Sequence, residues 1–238
     1  MAEPLGPESR PVVGILGGMG PEATVDLMRR VIAATPARDD ADHIRMLVDN
    51  NPAVPSRIAA LIEGTGPSPL PELVRMARGL AAGGATMLAM PCNTAHYYAG
   101  GIVEAVPLPF LNMIALTVER IAAMVPAGTQ VGLLASTAVF KIGLYEQAFA
   151  DRGLPILAPE RQDDVMALIR AVKTGDTGAA RRGALAAVAE RLVQGGAGII
   201  LVACTELSIM ADAIAGTVPV LDAMDVLAEE IVAQAKGR

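Results

Sequence analysis

A chain of 238 residues, 53% of them hydrophobic, can bury one large core or two small ones. A formal net charge of −6, no tryptophan and no basic stripe argue against nucleic acid as a partner. No apolar run approaches the roughly 18 residues of a membrane span, and two cysteines are too few for a disulfide scaffold.

The first ten residues are polar and carry no apolar signal core, so they read as the disordered leader of a cytoplasmic protein. Residues 11–16 read as a strand that runs into the glycine loop Gly17, Gly18, Met19, Gly20. Pro21 and Glu22 then open a helix to about Ala34, with proline at its first position and an acid in its first turn. Residues 44–48 form a second strand, ending in Asp49, Asn50, Asn51 and Pro52. A proline-rich connection carries Arg57. A helix patterned in Leu, Val and Met over about 71–82 leads to the apolar run 85–89, read as a buried strand. Met90, Pro91, Cys92, Asn93, Thr94, Ala95 and His96 follow it. A short strand at 109–111 and a helix over 112–124 close this stretch.

The pattern then restarts. Residues 130–136 resemble 12–18 at an offset of 118, and 154–157 answer 44–48. Helices over 164–173 and 178–194 lead to the apolar run 198–202, followed by Ala203, Cys204, Thr205, Glu206 and Leu207. Gly-Gly-Ala announces both cysteine segments, at 83–85 and 195–197. The offset is the same by either marker: 195 − 83 = 112 and 204 − 92 = 112. Residues 218–222 echo 109–112, and a closing helix covers about 224–234.

Strand and helix alternating through two similar halves predict an α/β protein. The expected architecture is two parallel-sheet halves related by a pseudo-two-fold, with the active site in the cleft between them. The expected units are residues 1–112, completed by 218–238, and residues 113–217. Ligands in such units bind beyond the carboxyl ends of the strands. Both cysteines sit at such ends.

A free cysteine is ordinarily a small buried hydrophobe. Two of them at equivalent points of a repeat, each just before a helix-favouring threonine, argue for chemistry instead. A helix start offers unpaired N–H groups and positive potential, which favour thiolate and make a sulfur reactive. Two thiols facing each other across a cleft are what a two-base proton transfer requires. Zinc is a competing use, because His96 lies four residues beyond Cys92. The only other histidine, His43, has no counterpart in the repeat, so no metal site is expected. The loop Gly18, Met19, Gly20, Pro21, Glu22, Ala23 formally matches a dinucleotide fingerprint, with Asp39, Asp40 and Asp42 at a ribose-binding distance along the chain. The second half has Ser136, Thr137 and Ala138 in its place. The more general use is preferred: amides at a helix start that hold a small carboxylate. Arg57 and Lys173 taken alone read as solvated cations.

Together, Gly14 to Pro21, Asn50 with Asn51, the stretch Met90 to His96, and Cys204 to Leu207 resemble the signatures of the cofactor-independent aspartate/glutamate racemases. The resemblance covers nearly the whole chain. Glutamate racemases of the cell-wall pathway carry histidine after the second Cys-Thr, and Glu206 here looks like the aspartate racemase branch. Arylmalonate decarboxylases of the same superfamily keep only the second thiol, whereas this chain has both.

The resemblance implies an acidic amino acid as substrate, no cofactor and a homodimer. It implies that Cys92 and Cys204 alternate as base and acid on opposite faces of Cα. It implies that Arg57 and Lys173 hold substrate carboxylate, with Asn50 also in the binding set. Further donors around the α-carboxylate are expected from the Met19 amide, Asn93, Thr94, Ser136, Thr137 and Thr205, with Glu206 orienting a group near Cys204. Two departures from the family pattern fall where the distal group would be read. Ser56 stands where Asp often precedes the arginine, and Ala138 and Val139 stand where Gly-Thr often follows Ser-Thr. Two other functions would use the same residues: racemisation or isomerisation of another α-substituted acid, and a nucleotide- or acid-binding regulatory module built on the glycine loop.

Overall fold

Strand β1 (Val12–Gly17) is buried along its whole length, as a strand covered by helices on both faces must be. It is part of a computed structural model that describes residues 10–237, so the leader expected at the N-terminus lies, but for Arg10, outside the described residues. Helix α1 (Pro21–Ala34) leaves β1 through the glycine loop and returns to β2 (Arg45–Asn50). Helix α2 (Leu70–Ala82) leads to β3 (Met87–Ala89), and α3 (Ala99–Ala105) to β4 (Phe110–Leu111). Helix α4 (Met113–Met124), capped by the Asn112 side chain, ends the half. All pairings are parallel, in the order β2-β1-β3-β4.

The second half repeats this plan. Strand β5 (Val131–Leu134) is followed by short helices α5 (Thr137–Lys141) and α6 (Glu146–Ala150), then β6 (Ile156–Leu157). Helices α7 (Gln162–Lys173) and α8 (Ala179–Gln194) precede β7 (Ile199–Val202). One turn of helix, α9 (Thr205–Ser208), precedes β8 (Val220–Asp222) and α10 (Ala223–Lys236). The sheet order is β6-β5-β7-β8, again all parallel. Each strand of the first sheet therefore has its counterpart at the same place in the second. No helix of the described residues is long and apolar enough to cross a membrane.

The alternation of side chains along a strand divides the core. Val13 and Ile15 of β1 and Val131 and Leu133 of β5 point into one central cluster, with Leu27 of α1, Ile121 of α4 and Ile231 of α10. Leu16 and Leu88 face the other way, into a cluster under α2 and α3. Leu134 and Ile200 do the same under α7 and α8. The two sheets thus share a layer of helices, in which α10 packs on both α1 and α4. Of the segment 218–238, expected with the first half, β8 pairs with β7 in the second sheet, and α10 is the part that reaches α1. The free edge of β7 accepts β8 as the edge of β3 accepts β4.

Helix α2 lies close on β1 because position 14 is glycine. A Cβ there would meet Leu80 Cβ of α2 at 3.1 Å, and Ala85 Cβ and Leu88 Cδ2 each at 2.9 Å. Gly132 does the same on β5, where a Cβ would meet Leu192 Cβ of α8 at 3.3 Å, with Ile200 Cδ1 at 2.7 Å and Ala197 Cβ at 2.9 Å. Overpacking of this kind costs about 1–3 kcal/mol. Gly14→Ala and Gly132→Ala are each expected to lower the thermal midpoint, and an unchanged midpoint in both would show that the helices are free to move out.

Candidate active site

A cavity of about 570 Å³ opens at the carboxyl end of β1. Its walls come from both halves: Met19 and Glu22 from the glycine loop and α1, Arg57, Lys173 at the end of α7, and Glu206 on α9. Gly18 shapes the loop, with φ of +91° and the Asn51 backbone so close that a Cβ would lie 2.2 Å from it. Its N–H donates to Thr24 Oγ1 at 2.9 Å, which sews the loop to α1. Four residues expected from the sequence (Met19, Arg57, Lys173 and Glu206) therefore line one cavity.

Both thiols are buried, Cys92 at 6% exposure and Cys204 at 7%. Cys204 caps α9, and its Sγ–H donates to Glu206 Oε2 at 3.1 Å. The other oxygen, Oε1, lies 3.4 Å from Lys173 Nζ. Cys92 follows β3 at the matching place and feels the charges of Arg57, Glu206 and Lys173. The same charged wall thus acts on both sulfurs.

The N–H groups after each cysteine do favour thiolate, as expected, but burial outweighs them. Burial is the largest influence on Cys92 and pushes its thiol up; the charges of Arg57 and Lys173 and the Ala95 N–H only partly oppose it. Cys204 is pushed well above the ordinary cysteine value, first by burial and then by the Glu206 carboxylate, against the N–H groups of Glu206 and Leu207. The helix contribution is small because the elements are short. Helix α9 has four residues, and Cys92 leads only into a 3-10 turn (Thr94–Tyr98).

The remaining expected donors are placed unevenly. Asn93 is buried, accepts a 2.6 Å hydrogen bond from the Tyr145 hydroxyl on Oδ1, and keeps its Nδ2 without a partner among the described residues. Thr94 Oγ1 meets Ser136 Oγ across the halves at 3.4 Å. The Thr137 N–H donates to Met166 Sδ, and Thr205 is buried beside Cys204. Asn50 stands at the exposed end of β2, outside the cavity lining, and Ser56 is exposed. Arg57 donates from Nη1 to the carbonyls of Val54 and Pro55, at 3.3 and 2.9 Å, and enters no ion pair among the described residues. Tyr145 was not legible as a site residue, since nothing in its neighbourhood along the chain marks it as the partner of Asn93. Its hydroxyl is wholly buried, and burial pushes it far up, so it stays a donor.

His96 is used twice, but not on a metal. Nδ1 donates to the Cys92 carbonyl at 2.9 Å, and Nε2 accepts the Met113 N–H at 3.1 Å. This pairing assigns the neutral tautomer. Burial pushes its pKa down to about 4.

The model of the Asp/Glu/hydantoin racemase family matches residues 16–231. The aspartate racemase of Picrophilus torridus is 32% identical and superposes with a TM-score of 0.85, over 95% of this chain and 94% of that one. The broad specificity amino-acid racemase RacX of Bacillus subtilis (strain 168) is 27% identical, over 93% of this chain and 96% of that one. Glutamate racemase isoform RacE1 from Bacillus anthracis shares the fold, with a TM-score of 0.67 at 16% identity, covering 97% of this chain and 84% of that one.

The neutral His96 carries a stability consequence. Its folded pKa is depressed, so the unfolded chain binds the proton first as pH falls. Stability is lost between about 6.5 and about 4, by up to about 3 kcal/mol. Asp222, raised to about 6 by burial, works in the opposite sense over part of this window. The comparison that isolates His96 is wild type against His96→Gln, followed by denaturant unfolding across that range. The variant is expected to lose less stability on acidification, and parallel curves would contradict the assignment.

Proposed function

The chain belongs to the Asp/Glu/hydantoin racemase family, and from that premise we propose that it racemises an acidic amino acid without a cofactor, with Cys92 and Cys204 as paired acid and base. That it is an isomerase acting on amino acids follows from the family and its relatives. The observation that supports the two-thiol mechanism is the shared wall: two buried sulfurs, at equivalent points of a duplicated fold, both acted on by Glu206 of one cavity.

In this reading one Sγ, as thiolate, takes the Cα proton. The C–H electron pair stays on the substrate and spreads into its carboxylate. The opposite thiol then gives its proton to the other face and becomes the thiolate. The roles reverse for the other enantiomer. Because burial favours the neutral thiols, the thiolate has to be made where charge helps. Arg57 and Lys173 favour it at Cys92. At Cys204, Glu206 Oε2 is placed to receive the proton, with Lys173 beside the second oxygen. The carboxylate that accumulates charge needs donors that are already oriented. Arg57, the Met19 amide and the unpartnered Nδ2 of Asn93 supply them, supported by Thr94, Ser136, Thr137 and Thr205. The same reading takes the protein as a cytoplasmic homodimer.

A second reading, a wider set of amino acids, is favoured by the pairing of Lys173 with Glu206. That pair leaves Arg57 as the cavity cation without a carboxylate partner among the described residues. One free cation suits one carboxylate. Chiral chromatography on a panel of acidic and neutral amino acids decides between the two: turnover confined to aspartate and glutamate supports the first, and comparable turnover of neutral amino acids the second.

Replacing Cys92 or Cys204 with Ser is expected to lower interconversion by orders of magnitude, since a hydroxyl is a far poorer base than a thiolate. Each variant keeps one thiol on one face. In deuterium oxide the two should exchange Cα deuterium into opposite enantiomers, and full racemase activity in either would sink the mechanism.

Arg57→Ala is expected to raise the transition-state barrier for acidic substrates by roughly 2–5 kcal/mol, because it leaves a carboxylate unpaired. Wild-type kcat/KM on every acidic amino acid would return Arg57 to the status of a surface cation.

A further inference from the structure

The residues four positions beyond each cysteine are related by the same offset as the cysteines, since 208 − 96 = 112. They differ in chemistry, His96 against Ser208, yet each makes the same connection. His96 joins the Cys92 carbonyl to the N–H of Met113, the first residue of α4. Ser208 Oγ donates to Asp222 Oδ1 at 2.6 Å, and Asp222 caps α10 by accepting the Met224 N–H on that oxygen at 2.9 Å. The hydroxyl has one proton, and the short bond to Asp222 takes it. The link back to the thiol is therefore the Ser208 N–H, which donates to the Cys204 carbonyl at 3.1 Å.

Resting on the two-thiol reading above, we propose that His96 and Ser208 are paired positioning residues, each holding one thiol turn against the start of the helix beside it and so governing proton transfer on one face of Cα.

Three features carry this. Helices α4 and α10 pack against each other, so the two turns are referenced to one rigid pair of elements rather than to separate loops. The connections are buried, His96 at 5% exposure, Ser208 at 4% and Asp222 at 5%, where an aligned hydrogen bond is costly to leave unmade. The Ser208 side is held from the first half as well. Arg30 of α1 donates Nη1 to Asp222 Oδ2 at 2.9 Å, Nη2 to the Ser208 carbonyl at 2.8 Å and Nε to Asp26 Oδ2 at 2.7 Å. The planar guanidinium thus fixes the far oxygen of the carboxylate whose near oxygen takes the serine proton. Neither residue is among those lining the cavity, nor is either cysteine; what ties each of the two to a sulfur is its bond to that cysteine's own carbonyl.

A merely structural role would slow both half-reactions alike. A positioning role would not. Two proton transfers flank the carbanion, and slowing one makes it limiting. The primary isotope effect on kcat/KM should then rise for the enantiomer whose Cα proton goes to the misplaced thiol and fall for the other. The measurement uses α-deuterated L- and D-aspartate, and the glutamate pair, with wild type, Ser208→Ala and His96→Leu. A displaced reacting group can cost on the order of 10²-fold in rate. Ser208→Ala and His96→Leu are expected to lower turnover within that range and to skew the two isotope effects in opposite directions. Ser208→Thr and His96→Gln, which keep the hydrogen-bonding groups, should restore the wild-type ratio. Ser208→Ala removes only a hydroxyl, so it decides the matter even if His96→Leu does not fold. Equal changes for both enantiomers, or no skew in Ser208→Ala, would overturn the proposal. Failure of the underlying mechanism is recognised separately, by full racemase activity in Cys92→Ser or Cys204→Ser.

Discussion

Desolvation sets the state of both sulfurs, and the arrangement of charge around them answers to it. A lone thiolate is costly where water is excluded, and a neighbouring charge acts far more strongly there than at the surface. Arg57 and Lys173 therefore count at Cys92, and Glu206 counts at both cysteines. At the offset of the two cysteines, Glu206 answers to Thr94. One half thus presents a hydroxyl that meets Ser136 where the other presents a carboxylate that meets Lys173. The backbone is duplicated while the charge is not. A substrate with an ammonium on one side of Cα and a carboxylate on another is itself asymmetric, and a symmetric wall would fit it poorly.

Much of this was legible in the sequence because it rests on local pattern. Buried parallel strands read as short apolar runs, and Gly-Gly-Ala before each cysteine strand gave the register of the repeat. Pro21 and Glu22 marked the start of α1. Helices α5 and α6, five residues each, were not legible, since elements that short are held by their surroundings rather than by propensity. The weight of burial on the thiols is not legible for a related reason: a motif displays the helix start but not what covers the sulfur.

The site is legible in the same uneven way. Cys92 and Cys204 stand out by their places in the repeat, whereas Arg57, Lys173 and Glu206 take on a role only through the family resemblance. Tyr145 does neither, because its hydrogen bond to Asn93 spans 52 positions and depends on the halves closing. His96 draws notice in the sequence only for a zinc site that the rest of the chain argues against, and its place in the backbone network is not legible there. The geometry gives both ring nitrogens to the backbone.

The shared layer of α1, α4 and α10 bears on how such a duplicated chain can be divided. Each half resembles a complete unit in strand order, yet neither owns its inner wall. Severing the chain between α4 and β5 would leave one fragment with the apolar faces of β1, α1 and α4 uncovered, and the other with α10 and the matching face of β5. The two fragments would be complementary halves of one interior, each with an apolar face that only the other covers. In the present molecule the two halves of the repeat are merged at the level of side-chain packing, and autonomy as a folding unit belongs to the pair.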